Sequence, residues 1–89
     1  MWKEGMIKVI VDNNVCWVFF EAKVFVEPSK YGICGGRISK LTLKVADITI
    51  CYYDRAWVIA PTCDLAKEVL KELLYLCDGR STDAEISYE

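Results

Sequence analysis

The sequence predicts an α+β fold, an antiparallel β-meander of about four to five strands with one C-terminal amphipathic helix packed on one face. In Val15–Val26 and Leu41–Val45, every second residue is apolar, which is the period of a strand. After Pro61, apolar residues recur at helical spacing instead. Turn-forming residues separate the apolar runs. A run of strands followed by one helix favours a two-layer domain over alternating β and α units.

The first two strands are expected at Met6–Val11 and Val15–Val26, joined by a turn at Asp12-Asn13-Asn14. Every even position from 16 to 26 is apolar, which places that set on the core face of the second strand. The odd positions mix charged residues with aromatics such as Trp17 and Phe19. We therefore expect the second face to be partly covered as well.

The third strand is expected at Ile38–Val45, where Ile38 is out of phase with the later apolar positions and predicts a bulge near Ser39. A short connection at Ala46-Asp47 leads to a fourth strand, Ile48–Asp54. Trp57–Ala60 is expected to extend the sheet after a bend.

The helix is expected to begin near Thr62, a suitable N-cap, and to end at Gly79. Its apolar stripe comprises Ala66, Val69, Leu70, Leu73, Leu74 and Cys77. Residues 1–79 are thus predicted to form one domain, and residues 80–89 a flexible acidic tail.

The composition of the chain excludes several classes of function. The chain has 89 residues, five dispersed cysteines without a C-x-x-C pair, and no histidine. An odd, dispersed set of cysteines is a poor disulfide framework, and zinc sites normally need clustered Cys and His. No apolar run is long enough to cross a bilayer. We expect a cytoplasmic protein with reduced cysteines, no metal, no cofactor and no membrane partner.

Charge is distributed unevenly. Residues 23–44 carry five cationic residues and one acid, whereas residues 45–89 carry four cationic residues and nine acids. Such polarity can steer an anionic ligand towards the middle of the chain, or it is simply solvated surface. Because the whole chain has a net charge of −2, binding of duplex nucleic acid is not expected.

The segment Glu27–Leu41 contains three glycines and three cationic residues between two strand-like runs. It matches neither G-x-x-x-x-G-K-[ST] nor G-x-G-x-x-G, and it leads into a strand, so it is not a catalytic phosphate loop. Backbone amides near Gly35 and Gly36, with Arg37 beside them, are candidates for holding an anion. The alternative is that the glycines only turn the chain.

A second cluster, Tyr52–Trp57, sets aromatic residues beside Arg55. It is suited to stacking on a base, or else its tyrosines are core residues and Asp54 pairs with Arg55 in a turn. Without histidine the usual nucleophile–base arrangements are absent, so we expect no enzymatic activity.

The succession FEAKVFVEPSKYGICGGRISKL (Phe20–Leu41), followed by YDRAW (Tyr53–Trp57) and a C-terminal helix, resembles a small uncharacterised domain family of phages, prophages and other mobile elements. The resemblance covers residues 15–77. It implies no established activity, but it implies a context in which small proteins counter host antiviral defence and reside in the cytoplasm of an infected bacterium.

The leading hypothesis is therefore a binding protein that sequesters a nucleotide-derived immune signal, in a pocket at the interface of a homo-oligomer. The residues expected to contact the ligand are Tyr31, Gly35, Gly36, Arg37, Ser39, Lys40, Arg55 and Trp57. The alternatives are a protein-interaction module that inhibits a host defence effector or nuclease, and an accessory protein of phage replication or assembly.

Overall fold

The computed structural model describes residues 1–78, in which five antiparallel strands and one helix form two layers. The strands are neighbours in chain order: β1 (Trp2–Val11), β2 (Asn14–Val24), β3 (Ile38–Val45), β4 (Ile48–Asp54) and β5 (Trp57–Ile59), followed by α1 (Asp64–Asp78). The predicted meander with a C-terminal helix is confirmed. The predicted helix end at Gly79 and the predicted tail at 80–89 lie outside the described residues.

Several boundaries differ from the prediction. Strand β1 begins four residues before Met6, because its ladder with β2 continues without a break as far as Trp2. Strand β2 ends at Val24 rather than Val26, although the amide of Phe25 still bonds the carbonyl of Arg37, the residue before β3. Helix α1 starts one residue later than predicted, so Cys63 rather than Thr62 precedes its first residue and accepts the bond from the amide of Lys67.

The predicted bulge at Ser39 is confirmed. Lys23 pairs with Lys40 whereas Val24 pairs with Ile38, so Ser39 has no partner in the ladder. The extra residue restores the phase of Ile38, whose side chain is fully buried. This bulge decides which side chains of β3 share a face with those of β2.

The core lies between α1 and one face of the sheet. Its buried apolar members include Val18, Ala22, Val24, Ile33, Ile38, Leu41, Leu43, Cys51, Tyr53, Val69, Leu70, Leu73, Leu74 and Cys77. The predicted stripe of α1 is buried throughout, and the even positions of β2 from Cys16 to Val24 lie on the helix face as expected. The prediction is wrong for Val26, which lies beyond the end of β2 and is 90% exposed. These contacts leave the other face of the sheet without a covering layer in the part of the chain that is described.

We call that other face the open face. On the first three strands its side chains are Trp2, Glu4, Met6, Lys8, Ile10, Val15, Trp17, Phe19, Glu21, Lys23, Lys40, Thr42 and Lys44. The prediction that this face is partly covered is wrong for its outer strands, since Trp2 and Trp17 are each 54% exposed. Alternation reveals which residues share a face, but it does not reveal whether another layer packs there.

Candidate anion-binding site

A cavity of about 290 Å³ opens beside the ends of β2 and β3. Its lining combines three cationic, two aromatic and two hydroxyl side chains: Lys23, Phe25, Ser29, Tyr31, Ser39, Lys40 and Arg55. Four of the residues expected from the sequence, Tyr31, Ser39, Lys40 and Arg55, therefore meet at one place. Positive charge, aromatic surface and hydroxyl groups together suit a small anion that carries a ring.

Strand pairing brings the two lysines together. Lys23 lies directly opposite Lys40, and Lys40 lies opposite Asp54, with 3.8 Å between Lys40 Nζ and a carboxylate oxygen of Asp54. Like charges directly opposite each other on a sheet destabilise it, and Asp54 offsets only one of them. With Arg55 added, the cavity keeps an excess of positive charge that an anion would compensate.

Arg55 is held at the cavity by an unusual backbone conformation. Its φ is 61°, in the left-handed region that disfavours residues with a Cβ, and its amide donates to the carbonyl of Ser39 at 3.0 Å. Its guanidinium lies 5.6 Å from the centre of the Tyr31 ring, on which Lys30 Nζ also sits at 5.1 Å. The backbone bond to Ser39 and the contact with the Tyr31 ring together place the guanidinium at the cavity.

Hydrogen bonds to Tyr53 and Ser29 hold the backbone of Tyr31 in place. The phenol of Tyr53, a buried core residue, donates to the carbonyl of Tyr31 at 2.9 Å, and the amide of Tyr31 bonds Ser29 Oγ at 3.1 Å. Burial, with a smaller contribution from the nearby Cys34 thiol, raises the pKa of Tyr53, so this phenol keeps its proton and remains a donor. The aromatic wall of the cavity is thus anchored to the core.

The glycines serve the loop's own structure. The amide of Gly35 donates to the carbonyl of Gly32, and the amide of Gly36 donates to that of Ile33. The amides that the sequence analysis expected to hold an anion are therefore engaged inside the loop. Gly32, not singled out from the sequence, is the tightest point, because a Cβ there would lie 1.9 Å from the carbonyl oxygen of Gly36.

Arg37 and Trp57 lie apart from the cavity lining. The guanidinium of Arg37 donates to the carbonyl of Cys77 in the last turn of α1, where a cation also complements the negative end of the helix. Trp57 packs edge-on against Tyr53, with ring centres 4.8 Å apart. Together with Gly35 it lines a second, shallower depression of about 280 Å³ on the far side of Arg55.

Three lining residues were missed from the sequence: Lys23, Phe25 and Ser29. The available signal was weak, since Lys23 reads as one of several polar residues on β2. Its importance follows from standing opposite Lys40, and that pairing is set by the register of β2 against β3.

The thiols divide by exposure. Cys34 and Cys63 are exposed and Cys16 is half-buried, whereas Cys51 and Cys77 are buried. Burial, with a smaller effect from Cys63, raises the pKa of the Cys51 thiol to about 12, so it stays protonated and is a poor nucleophile. Across residues 1–78, no group of Cys, Asp and Glu side chains is placed to hold a metal ion.

A family model described as "Domain of unknown function (DUF7678)" matches residues 1–78. No curated protein and no solved structure matches the chain. Within the described part of the chain, α1 is too short and too polar to cross a bilayer.

Proposed function

We propose that the chain, which belongs to the DUF7678 family, is a non-enzymatic binding protein for a small phosphorylated ligand of the nucleotide class. The observation that supports this proposal is the convergence of Lys23, Lys40 and Arg55 with two aromatic rings around one cavity. The proposed roles are a phosphate held by the cations and a base placed against Phe25 or Tyr31.

The chemistry of the lining favours a phosphate group. Arginine grips phosphate through parallel hydrogen bonds, and each charge-assisted bond contributes roughly 1.5–3 kcal/mol. Lys23 and Lys40 converge from neighbouring strands, so the same anion can contact both. The hydroxyl groups of Ser29 and Ser39 add neutral hydrogen-bonding capacity at the cavity wall.

The size of the cavity limits the ligand to a small molecule. A volume of about 290 Å³ is just below the range typical of small-molecule sites, roughly 300–1,000 Å³. Bases stack on aromatic rings with a gain of roughly 1–3 kcal/mol each.

The biological role we propose is sequestration of a nucleotide-derived signal of antiviral defence in the cytoplasm of an infected bacterium. It rests on the resemblance of Phe20–Leu41 and Tyr53–Trp57 to domains of phages and mobile elements. Tight binding without turnover suits this role, because a sequestering protein only has to remove free signal. The absence of histidine from the chain is compatible with binding without catalysis.

Isothermal titration tests the proposal with cyclic dinucleotides, cyclic oligonucleotides and cyclic ADP-ribose isomers, and with pyrophosphate as an anion lacking a base. We expect at least one nucleotide to bind more tightly than pyrophosphate. Lys40→Gln should weaken that binding about tenfold or more, since it removes one charged contact. Lys44→Gln is the matched control, because Lys44 lies on the same strand and the same open face but outside the cavity. Absence of binding by every nucleotide would refute the proposal.

Direct inhibition of a host defence protein is the second candidate function. It is favoured by the exposed apolar side chains of the open face, among them Met6, Val15 and Trp17. Purification from defence-expressing cells separates the two candidates: mass spectrometry would find a released nucleotide in the first case and a stoichiometric protein in the second.

A further inference from the structure

We propose that β1 pairs with β1 of a second copy of the chain, antiparallel and with the two-fold axis at Met6, so that two five-stranded sheets join into one. This inference is independent of the ligand. It starts from a difference between the two edges of the sheet. Strand β5 is three residues long and its ladder is irregular, whereas β1 is ten residues long and its ladder with β2 has no bulge.

Proteins usually protect a free sheet edge by shortening it, bulging it, or placing proline or charged side chains, especially lysine, on it. The β5 edge is short and irregular, whereas β1 is long, has no bulge and contains no proline. The charged residues of β1 are of both signs, Lys3, Glu4 and Lys8, so they repel a general partner less than a row of lysines would. In the described residues β1 is an outer strand of the sheet. A long and regular edge is what strand pairing with another chain requires.

The pairing with β2 shows which backbone groups of β1 face outward. Met1 and Val24 exchange both of their backbone hydrogen bonds. Since bonded and non-bonded pairs alternate along an antiparallel ladder, the odd residues of β1 bond β2 and the even residues direct N–H and C=O to the free edge. The outward residues are Trp2, Glu4, Met6, Lys8 and Ile10.

When two copies of β1 are placed antiparallel about Met6, these five residues of one copy stand opposite complementary residues of the other. Glu4 then stands opposite Lys8 of the second copy, Trp2 opposite its Ile10, and Met6 opposite its Met6. A slip of two residues in either direction would place Glu4 opposite Met6 or Ile10 and lose both ion pairs. Each opposed pair exchanges two backbone bonds, which makes about ten bonds, a number typical of a specific interface.

The arrangement also relieves a charge conflict inside the chain. Glu4 lies directly opposite Glu21 on the open face, and two like charges in that position destabilise a sheet. Lys8 of the second copy would flank Glu4 on its other side. Because a two-fold axis relates the copies, Lys8 of each copy lies beside Glu4 of the other, as in any isologous interface.

A second complementary contact arises on the helix face. In this register Lys3 of the second copy stands opposite Val9, on the side of the sheet that carries α1. Val9 lines a cleft of about 380 Å³ together with Glu68 and Glu72 of α1. The proposed pairing therefore directs a lysine of each copy towards two carboxylates of the other.

Charge reversal tests the pairing by analytical ultracentrifugation. We expect the wild-type chain to sediment at twice its 10.2 kDa mass. Glu4→Lys or Lys8→Glu alone turns two attractive pairs into repulsive ones and should raise the dimer dissociation constant at least about tenfold. The double variant restores opposite charges and should restore the dimer.

The same series of variants includes controls for unfolding of the chain and for association through the open face. Glu4→Lys sets a lysine opposite Glu21, so it favours the folded chain and its loss of dimer cannot reflect unfolding. Lys44→Glu alters the open face away from the edge and should leave the edge dimer unchanged. A wild-type chain that stays monomeric at about 100 µM, or a dimer that ignores the single reversals, overturns the proposal.

A thiol at the axis tests the register, with the exposed Cys34 and Cys63 replaced by serine. Cα atoms of a hydrogen-bonded pair lie about 5.5 Å apart, inside the range that a disulfide spans, so Met6→Cys should cross-link to itself. Glu4→Cys should not, since its copy lies roughly four residues, or 13 Å, along the strand. Equal cross-linking of both variants, or of neither, overturns this register.

Discussion

Replacing Arg55 by glycine should separate ligand binding from stability. Arg55 has a φ of 61°, a conformation that costs a residue with a Cβ roughly 1–2 kcal/mol and costs glycine almost nothing. Against that gain stand about 0.5–1 kcal/mol for the extra freedom of glycine in the unfolded chain and a similar amount for the lost contact with the Tyr31 ring. The gain and the losses therefore nearly cancel, and the free energy of unfolding should change by no more than about 1 kcal/mol in either direction.

In a domain of this size 1 kcal/mol corresponds to roughly 4–8 °C in the melting temperature. We thus expect Arg55→Gly to melt within about 8 °C of the wild-type temperature. Binding should be affected much more strongly than stability. Loss of one charge-assisted contact worth roughly 1.5–3 kcal/mol should weaken nucleotide affinity by about 10- to 150-fold.

The assay combines thermal denaturation, followed by circular dichroism, with the titration described above. Ala46→Gly is the matched control, since Ala46 has a φ of 55° in the β3–β4 turn and does not line the cavity. It should raise the melting temperature by roughly 2–8 °C and leave affinity unchanged. An Arg55→Gly chain with wild-type affinity would refute the role of the guanidinium, and one that melts far below the wild type would refute the account of strain.

Three further predictions concern the loop, the helix end and a buried thiol. Gly32→Ala should destabilise the fold by about 3 kcal/mol, measured by urea denaturation, because its Cβ would lie 1.9 Å from the carbonyl oxygen of Gly36. Gly35→Ala should cost only about 1 kcal/mol, because a Cβ there meets open space and only the φ of 70° is unfavourable. Equal losses of stability in the two variants would contradict this steric explanation. Arg37→Ala should lower the free energy of unfolding by about 1–3 kcal/mol, because it loses the hydrogen bond to the carbonyl of Cys77, and it should leave nucleotide affinity unchanged. A folded Arg37→Ala variant with reduced affinity would show that Arg37 contributes to binding. Burial raises the Cys51 pKa from 9.0 to about 12, so the unfolded chain loses this proton first as the pH rises, and the contribution of Cys51 to stability is complete below pH 9 and falls between pH 9 and 12 by up to about 1.4 kcal/mol per pH unit. In urea denaturation across this range, the free energy of unfolding of Cys51→Ala should therefore decline less steeply than that of the wild type. Parallel curves for the two proteins would contradict the assignment.

Much of the fold was predictable because it depends on local periodicity. The alternation along β2, the out-of-phase Ile38 that marks the Ser39 bulge and the helical stripe from Ala66 to Cys77 all appear in the sequence and are all confirmed. Each follows from the geometry of a single element, so the signal lies within a few consecutive residues. The start of β1 was not predictable in this way, because the apolar pattern weakens before Met6 and only pairing with β2 extends the strand.

The candidate site was predictable only in part. Arg55 and Tyr31 were identified by composition, whereas Arg37 and the glycine amides, which were expected beside them, do not line the cavity. Arg37 bonds the end of a helix 40 residues away in sequence, and the amides of Gly35 and Gly36 bond within their own loop. Neither fact has a local signature, since both depend on which carbonyl the folded chain brings within reach.

The sequence by itself determined the layers, their order and the face of each element that is buried, because hydrophobic burial and backbone period are properties of short segments. It also determined that the middle of the chain is cationic. Only the tertiary structure decided which of those cations meet. Lys23 faces Lys40 through strand register, and Arg55 joins them through a turn with positive φ, whereas Arg37 is drawn to α1. Charge is a property of the residue, but a binding site depends on distances between residues that are remote in sequence.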